Sequence, residues 1–328
     1  MNALPDGLDD FLTGSGWGGA RVTPLPGDAS FRRYFRISDG ERGAMLMHAP
    51  PPHEDPRPFI AVGEWLAGHG HRAPGILAQD AAAGWVLLED FGDDRMRDWL
   101  DLHPAAEHGA YRAAIDALAA LHRSPPGPFR PYALAEYLRE VRLFTEWFCP
   151  AQGLAVDDAG WDAAWTAVLT PLLARQEPGV TVLRDYHAEN IMLLAPAADG
   201  SGEQGLIDFQ DALVGHPAYD LVSLLQDARR DVSVDLERAM VQHYRASVTV
   251  DDQFDADYAR LGAQRNAKIV GIFTRLSRRD GKDRYLAMIP RVWQALERDL
   301  AHGELAPVSA WFEANIPAEI RARHGAFA

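Results

Sequence analysis

The sequence predicts an α+β fold with two lobes, a small antiparallel β lobe over residues 1–90 and a mainly helical lobe over residues 91–328. Residues 22–88 show alternating apolar residues interrupted by turn signals, a pattern typical of strands. From residue 111 onward, the apolar residues recur with a helical period instead. A chain of 328 residues is also too long for one small core and suits two lobes.

Five strands are predicted in the β lobe. Within residues 22–49, two strands flank a loop at residues 27–30, and a third strand follows the turn at Asp39 and Gly40. A short helix is expected at residues 59–68, after a proline-rich connection that excludes both helix and central strand. The remaining two strands are predicted at residues 76–78 and 85–88.

The loop between the first two strands consists of Gly27, Asp28, Ala29 and Ser30. Small residues in such a loop let backbone N–H groups approach a phosphate, which predicts a nucleotide-binding loop. An ordinary hairpin turn is the alternative, and the loop taken alone favours that alternative.

The helical lobe contains an amphipathic helix in which Tyr111, Ile115, Leu118 and Ala119 recur at i, i+4, i+7 and i+8. The proline-rich residues 124–128 end it. Beyond the catalytic motif described below, the chain is predicted to be entirely helical. The other helices of the lobe are predicted at residues 134–148, 160–175, 219–226, 236–247, 257–279, 286–302 and 308–314.

The composition excludes several classes of function. A formal net charge of −15 argues against nucleic-acid binding, because non-specific binding requires Lys and Arg to neutralise phosphates. No stretch approaches the roughly 20 apolar residues of a membrane span, and the first twelve residues carry acids where a leader carries bases. Cys149 is the only cysteine, so an intrachain disulfide is impossible. We therefore expect a soluble, cytoplasmic monomer that binds neither nucleic acid nor membrane.

A polar motif in the helical lobe is the strongest functional signal. Asp185 is followed five residues later by Asn190, and a predicted hairpin over residues 191–207 ends on Asp208. This is the spacing of a kinase catalytic loop, where the first Asp accepts the proton of the attacking hydroxyl and the later Asn and Asp bind magnesium. Each short motif is weak alone, but their order and the intervening hairpin make the set specific. Oxygen ligands gathered at one hairpin suit Mg²⁺.

Several motifs together resemble the aminoglycoside phosphotransferase and choline kinase-like family, distant relatives of the protein kinases. The resemblance extends over nearly the whole chain and implies a bilobal protein-kinase-like fold that binds ATP in its β lobe. The motifs that carry it are residues 27–34, 87–90, 118–122, 184–190 and 207–211. Three further motifs resemble those of the bacterial anomeric kinases of N-acetylmuramate and N-acetylglucosamine, namely residues 210–212, 219–225 and 264–282.

The resemblance implies roles for individual residues. Asp185 is implied to be the catalytic base, and Asn190 and Asp208 are implied to bind Mg²⁺. Asp211 and Asp220 match family positions too, and structural hydrogen bonding is the favoured alternative to a substrate contact at both.

The nucleotide base has a predicted site between the lobes. Glu89 and Phe91 follow the strand at residues 85–88, and in a bilobal kinase the backbone at such a strand end holds the adenine. A simple strand end is the alternative.

His187 is implied by the same resemblance to support the conformation of the catalytic loop.

One position departs from the kinase pattern. Met47 stands where the third strand of protein kinases carries a Lys that pairs with phosphate oxygens. A thioether cannot supply that positive charge. Our hypothesis is that Arg32 or Arg33 of the nucleotide loop replaces it, and that Glu64, the candidate partner of such a Lys, is an ordinary surface residue.

The substrate side of the cleft is predicted from charge. Residues 260–284 carry eight Lys or Arg residues and only Asp280 and Asp283 as acids. The simple explanation is a solvated helix face. The alternative is that Arg275 and Arg279 point into the cleft, where an arginine holds a carboxylate with paired hydrogen bonds.

These observations predict a kinase that uses ATP and Mg²⁺ to phosphorylate a sugar, most specifically the anomeric hydroxyl of N-acetylmuramate or N-acetylglucosamine in cell-wall recycling. A kinase of another hydroxylated metabolite, such as an aminoglycoside or an amino alcohol, is the first alternative. A pseudokinase that only binds nucleotide is the second, raised by Met47. The presence of Asp185, Asn190 and Asp208 argues against it, because a scaffold does not need all three.

Overall fold

A computed structural model describes residues 4–26 and 31–327. The β lobe is built on a five-stranded antiparallel sheet with strand order β1-β2-β3-β5-β4, which confirms the five predicted strands. The strands are β1 (Arg21–Pro24), β2 (Arg33–Ser38), β3 (Gly43–His48), β4 (Ile76–Asp80) and β5 (Trp85–Glu89). The residues of the predicted nucleotide-binding loop lie outside this description, namely Gly27, Asp28, Ala29 and Ser30.

Alternation along the strands separates the sheet into two faces. On the outer face, Phe35 and Leu46 pack against Leu8 and Leu12 of helix α1 (Leu8–Gly14). The sequence analysis did not predict α1, because seven residues with two buried positions are too few to show a helical period.

The inner face of the sheet packs against helix α2 (Arg57–Gly68), which confirms the short helix predicted in the β lobe. Met47 and Val86 from the strands contact the same core as Phe59 and Leu66 of α2. Met47 is fully buried. The position that departs from the kinase pattern therefore lies inside a hydrophobic core.

The rest of the described chain is mainly helical, as predicted, and its longest helix lies at the centre of the lobe. The helices are α3 (Met96–Leu102), α4 (Glu107–Arg123), α5 (Leu134–Leu143), α6 (Cys149–Ala151), α7 (Asp158–Arg175), α8 (Ala218–Leu225), α9 (Val234–Ser247), α10 (Phe254–Asp280), α11 (Ile289–Leu300), α12 (Ala306–Asn315) and α13 (Ala318–Ala322). Helix α10 contacts α5, α8 and α11, so most of its faces are buried. No helix within the described ranges is long and apolar enough to cross a membrane.

Two predictions about the helical lobe are wrong. The chain beyond the catalytic motif is not entirely helical, because β9 (Leu213–Gly215) forms an antiparallel pair with β6 (Val180–Val182). Three residues are too few to display alternation. The helix predicted at residues 134–148 is not one α-helix, since the chain changes to a π-helical turn at Phe144–Phe148. Neither of the short helices α3 and α13 was predicted.

Candidate active site

The predicted hairpin is present and consists of β7 (Ile191–Leu194) and β8 (Glu203–Leu206). Its register pairs Ile191 with Leu206. The N–H of Ile207 then donates to the carbonyl of Asn190 at 3.1 Å. Asn190 before the hairpin and Asp208 after it therefore emerge side by side.

Asn190 and Asp208 form an oxygen-rich pair at the edge of the cleft. Nδ2 of Asn190 lies 3.0 Å from the carbonyl oxygen of Asp185 and 3.4 Å from Oδ2 of Asp208, which leaves the amide oxygen for a cation. The side chain of Asp208 is 48% exposed. Partial burial, followed by the negative charges of Asp185 and Asp211, raises the pKa of the Asp208 carboxyl.

This donor set fits Mg²⁺. The ion takes only one or two protein carboxylates and completes its shell with water and phosphate oxygens. The described residues contain no cluster of three or more His, Cys, Asp or Glu side chains that could hold a metal. One amide oxygen and one carboxylate therefore suit an ion whose remaining ligands are water and the phosphate oxygens of a nucleotide.

Asp220 holds the loop that carries Asp185 through two hydrogen bonds to its backbone. The N–H groups of Leu183 and Arg184 donate to the two carboxylate oxygens of Asp220 at 2.6 and 2.8 Å. Arg184 has a φ of 73°, which is unfavourable for a residue with a side chain and needs such support. Burial raises the pKa of Asp220 to about 7 against the effect of these two hydrogen bonds. Asp220 has no exposed surface, so it supports the loop and does not touch a ligand.

A second support is the carboxylate of Glu140 on α5, which is 1% exposed. It accepts a hydrogen bond from Nζ of Lys268 at 2.9 Å. It also pairs with Arg184 and accepts from the hydroxyl of Tyr132. Burial raises the pKa of Glu140, but the charges of Lys268 and Arg184 outweigh that effect and lower it to about 2. Glu140 thus ties α5, α10 and the catalytic loop together.

Two cations of α10 lie close to Asp185. Burial raises the pKa of Asp185, but the positive charges around it have the larger combined effect, so the pKa is lowered. In order of effect, the permanent charges among them belong to Lys268, Arg265 and Arg184. Arg265 is 3% exposed, and its Nη1 has no hydrogen-bond partner among the described residues. The arrangement keeps the Asp185 carboxylate ionised.

The sequence analysis missed Lys268, Arg265 and Glu140 as residues of the site. A signal was present for the first two, since both lie in the basic run at residues 260–284 and their i, i+3 spacing puts them on one helix face. Glu140 gave no such signal, because its charged partners Arg184 and Lys268 are 44 and 128 residues away.

His187 is buried next to Asn190, one of the two proposed metal ligands. Burial lowers its pKa to about 4, so the ring is neutral at physiological pH. Its Nε2 lies 3.5 Å from Nδ2 of Asn190 and 3.4 Å from Nη1 of Arg229. The position is that of a support for Asn190.

The end of β5 is held by ionic contacts. Glu89 pairs with Arg72 at 2.7 Å and accepts from the N–H of Gly75 at 3.2 Å. The hydrogen bond from Arg72 lowers the pKa of Glu89. The guanidinium of Arg72 lies 4.6 Å from the ring centre of Phe91. The side chains of Glu89 and Phe91 are therefore engaged with Arg72, and the N–H of Glu89 donates to the carbonyl of Gly75 at 2.8 Å.

The side chains of Arg32 and Arg33 have different neighbours. The guanidinium of Arg33 lies 5.1 Å from the ring centre of Phe35, which belongs to the outer face of the sheet. Nη1 of Arg32 lies 3.9 Å from Oδ1 of Asp208, and its Nε lies 3.3 Å from Oε2 of Glu54. Of the two, Arg32 is the arginine that reaches the proposed metal ligands.

A cavity of about 870 Å³ opens beside Arg32, within the range of about 300–1,000 Å³ usual for small-molecule sites. Its lining includes Gln210 and Asp211, the loop at residues 51–55, and Arg57 and Pro58 at the start of α2. Asp211 is exposed, and its backbone carbonyl lies 3.5 Å from Nη1 of Arg184. The cavity is therefore bordered by residues that follow Asp208 by two and three positions.

The two predicted substrate arginines have different surroundings. Arg279 lies at the exposed end of α10 and bonds to Asp280 at 2.7 Å. Arg275 is partly buried, and its Nε has no hydrogen-bond partner among the residues described. Burial, followed by the charges of Arg279 and Arg139, lowers the pKa of Arg275. Arg275 therefore has the greater unfilled capacity for an anion.

Comparison with known proteins places this geometry in a family. Residues 21–263 match the family model described as the phosphotransferase enzyme family, APH. The chain belongs to the phosphotransferase enzyme family. This phosphotransferase is 38% identical to the N-acetylmuramate/N-acetylglucosamine kinase of Caulobacter vibrioides over an alignment of 352 residues, which covers 95% of this chain and 96% of that protein.

Solved structures of the same fold agree with this assignment. A choline/ethanolamine kinase family protein from Mesorhizobium loti aligns with a TM-score of 0.62 at 16% identity, covering 94% of this phosphotransferase and 97% of that chain. An aminoglycoside phosphotransferase from Streptomyces rimosus, in complex with ADP and streptomycin, aligns with a TM-score of 0.55 at 20% identity, covering 80% and 99%. The predicted bilobal protein-kinase-like fold is confirmed.

Proposed function

We propose that this phosphotransferase moves the γ-phosphoryl group of ATP to the anomeric hydroxyl of N-acetylmuramate or N-acetylglucosamine, with Mg²⁺ as cofactor. The observation that carries the proposal is the contact of the Asn190 side chain with both the backbone carbonyl of Asp185 and the carboxylate of Asp208. The substrate follows from the similarity to the Caulobacter kinase, and the nucleotide from the ADP complex of the Streptomyces enzyme. Cell-wall sugar recycling by a cytoplasmic monomer is the setting we propose.

Asp185 is the proposed catalytic base. Its carboxylate accepts a hydrogen bond from the sugar hydroxyl and directs the hydroxyl oxygen at the γ-phosphorus. The new O–P bond forms as the bond between the γ-phosphorus and the β,γ-bridging oxygen breaks, so that ADP leaves and the hydroxyl proton passes to Asp185. Lys268 and Arg265 keep the carboxylate ionised beforehand, which makes it a proton acceptor at neutral pH.

Asn190 and Asp208 are the proposed ligands of Mg²⁺, through the amide oxygen and the carboxylate. When bound there, Mg²⁺ supplies positive charge to the phosphate oxygens. Arg32, 3.9 Å from Asp208, is the proposed replacement for the Lys that Met47 displaces.

The remaining nucleotide contacts are also proposals. We place the adenine at the end of β5, against the backbone at Glu89 and Phe91. The role of the loop at residues 27–30 and the division of the chain after residue 90 stay predictions.

The sugar is proposed to occupy the cleft between the catalytic loop and α10. Arg275, with Arg279 further out, is the proposed partner of the lactyl carboxylate of N-acetylmuramate, because a guanidinium fork binds carboxylates through paired hydrogen bonds. Asp211 borders the adjoining cavity and is the proposed contact to sugar hydroxyls. The positive charges of Arg265 and Lys268 near Asp185 disfavour a polycationic aminoglycoside there.

Phosphorus NMR of the reaction product tests this function. The protein is incubated with ATP, Mg²⁺ and each of N-acetylmuramate, N-acetylglucosamine, choline and kanamycin. We expect a phosphate on C1 of both amino sugars and no product from the other two. A phosphate on C6 would refute the anomeric assignment, efficient turnover of kanamycin or choline would refute the substrate class, and nucleotide binding without any turnover would favour the pseudokinase.

A further inference from the structure

The ion pair that protein kinases form between their third strand and a helix has no counterpart at the usual positions here. Met47 on β3 takes the position of the Lys, is fully buried and accepts a weak hydrogen bond from the hydroxyl of Tyr34 at 3.5 Å. Glu64 on α2, the candidate partner of such a Lys, is exposed. Any cation for the nucleotide phosphates has to come from another element.

Arg32 and Glu54 form an ion pair elsewhere in the same cleft. Nε of Arg32 lies 3.3 Å from Oε2 of Glu54, and the two side chains are only 16% and 18% exposed. Nη1 of Arg32 lies 3.9 Å from Oδ1 of Asp208. One guanidinium thus connects the loop after β3 with a proposed Mg²⁺ ligand.

The backbone fixes both partners of this pair. Arg32 directly precedes Arg33, the first residue of β2, which is paired in register with His48 at the end of β3. Glu54 follows six residues later, on a turn in which its N–H donates to the carbonyl of Pro50 at 3.1 Å. The start of one strand and the loop after its neighbour are therefore held together by the sheet itself.

The charges around Arg32 explain why it needs a partner. Asp208 attracts the guanidinium towards the metal ligands, where it neutralises a carboxylate that the cation requires. Glu54 accepts a hydrogen bond from Nε of the same guanidinium, whose Nη1 is the atom nearer to Asp208.

We propose that Glu54 is a positioning residue, which holds Arg32 where the phosphates of the nucleotide bind. The Arg32–Glu54 pair, built from the residue before β2 and the loop after β3, then performs the task of the Lys–Glu pair that joins strand and helix in protein kinases. The inference rests on the proposed function. Its physical basis is preorganisation, because a long side chain that is already ordered loses less entropy when it binds.

The test is calorimetric titration with Mg²⁺ and ADP, without sugar, of the wild type and the variants Glu54→Gln, Arg32→Ala and the double variant. We expect Glu54→Gln to weaken ADP binding about tenfold, within the range of coupling between contacting residues. Arg32→Ala weakens it at least as much. The double variant binds as Arg32→Ala does, because Glu54 acts only through Arg32.

Glu64→Gln on α2 is the matched control, since it makes the same chemical change at an exposed position and leaves binding unchanged. Steady-state kinetics add a second readout, in which Glu54→Gln raises the KM for ATP and leaves the KM for the sugar unaltered. Glu54→Asp keeps the charge and shortens the side chain, so it binds ADP more tightly than Glu54→Gln but more weakly than the wild type. It replaces Glu54→Gln in the test if that variant does not fold.

Wild-type ADP affinity in Glu54→Gln and Glu54→Asp would overturn the inference. Losses that add in the double variant would overturn it too, since Glu54 would then act independently of Arg32. Because the titration contains no sugar, a wrong sugar substrate leaves these outcomes unchanged. A wild type that binds no ADP would overturn the proposed function and, with it, this inference.

Discussion

The side-chain nitrogen of Asn190 lies 3.4 Å from Oδ2 of Asp208, although the two residues are 18 positions apart in the chain. The β7–β8 hairpin produces this contact, because its register brings the residues on either side of it together. A hairpin is a rigid support, so the two oxygen donors keep their separation whether or not a cation lies between them.

Asp208→Asn is expected to raise the Mg²⁺ concentration needed for half-maximal activity by about tenfold or more, because the proposed site loses the carboxylate that Asp208 contributes. The measurement is the initial rate of sugar phosphorylation against Mg²⁺ concentration, with chelation by EDTA abolishing activity. Asp199→Asn is the control, since Asp199 lies in the loop of the same hairpin and bonds to Ser201 there. An unchanged Mg²⁺ requirement in Asp208→Asn would remove this residue from the metal site.

Asp185→Asn is expected to lower kcat by about 10²–10⁴-fold, the usual loss for a general base. The amide cannot accept the hydroxyl proton, whereas the nucleotide contacts are untouched, so the affinity for ADP stays close to that of the wild type. Steady-state rates and ADP titration on the same preparation separate these effects. Near-normal turnover would show that Asp185 is not the base.

Glu140→Gln is expected to lower the melting temperature at pH 7, since breaking a buried ion pair costs about 3 kcal/mol or more. The pKa of Glu140 is lowered in the folded protein from 4.5 to about 2, so its ionised form stabilises the fold. That stabilisation is complete above pH 4.5 and is lost as the pH falls towards 2. The difference between wild type and variant therefore shrinks across this interval.

Thermal unfolding of both proteins between pH 7 and pH 2 measures that difference. Glu136→Gln is the control on the same helix, because Glu136 pairs with Arg139 at the surface, where ion pairs contribute little. A difference in melting temperature between wild type and Glu140→Gln that stays constant with pH would contradict the stabilising role of the ionised Glu140 carboxylate.

Arg275→Ala is expected to harm the phosphorylation of N-acetylmuramate more than that of N-acetylglucosamine, because only the former carries a carboxylate. The expected difference in kcat/KM is about tenfold, as for the loss of one charged hydrogen-bond pair. Arg279→Ala is expected to have the smaller effect, since Arg279 is exposed and paired with Asp280. Equal losses for both sugars in Arg275→Ala would leave α10 with a structural role.

Much of the fold could be predicted because its signals are local. The five strands and the catalytic hairpin show alternation and turn residues, and both are confirmed. Short elements carry too few residues for a period, which is why α1 and β9 were missed. The change from α-helix to π-helix at Phe144–Phe148 also has no mark in the apolar pattern, because those aromatic residues fit either geometry.

The sequence by itself determined that Asp185, Asn190 and Asp208 lie close together, because a loop and a hairpin bring residues with this spacing into proximity. Only the tertiary structure decided which charged residues surround these three. Lys268 and Glu140 are 128 residues apart and meet because α5 packs against α10. Arg32 rather than Arg33 reaches Asp208 because each takes a different side of the sheet. Such contacts depend on how whole elements pack, and no short stretch of sequence records that.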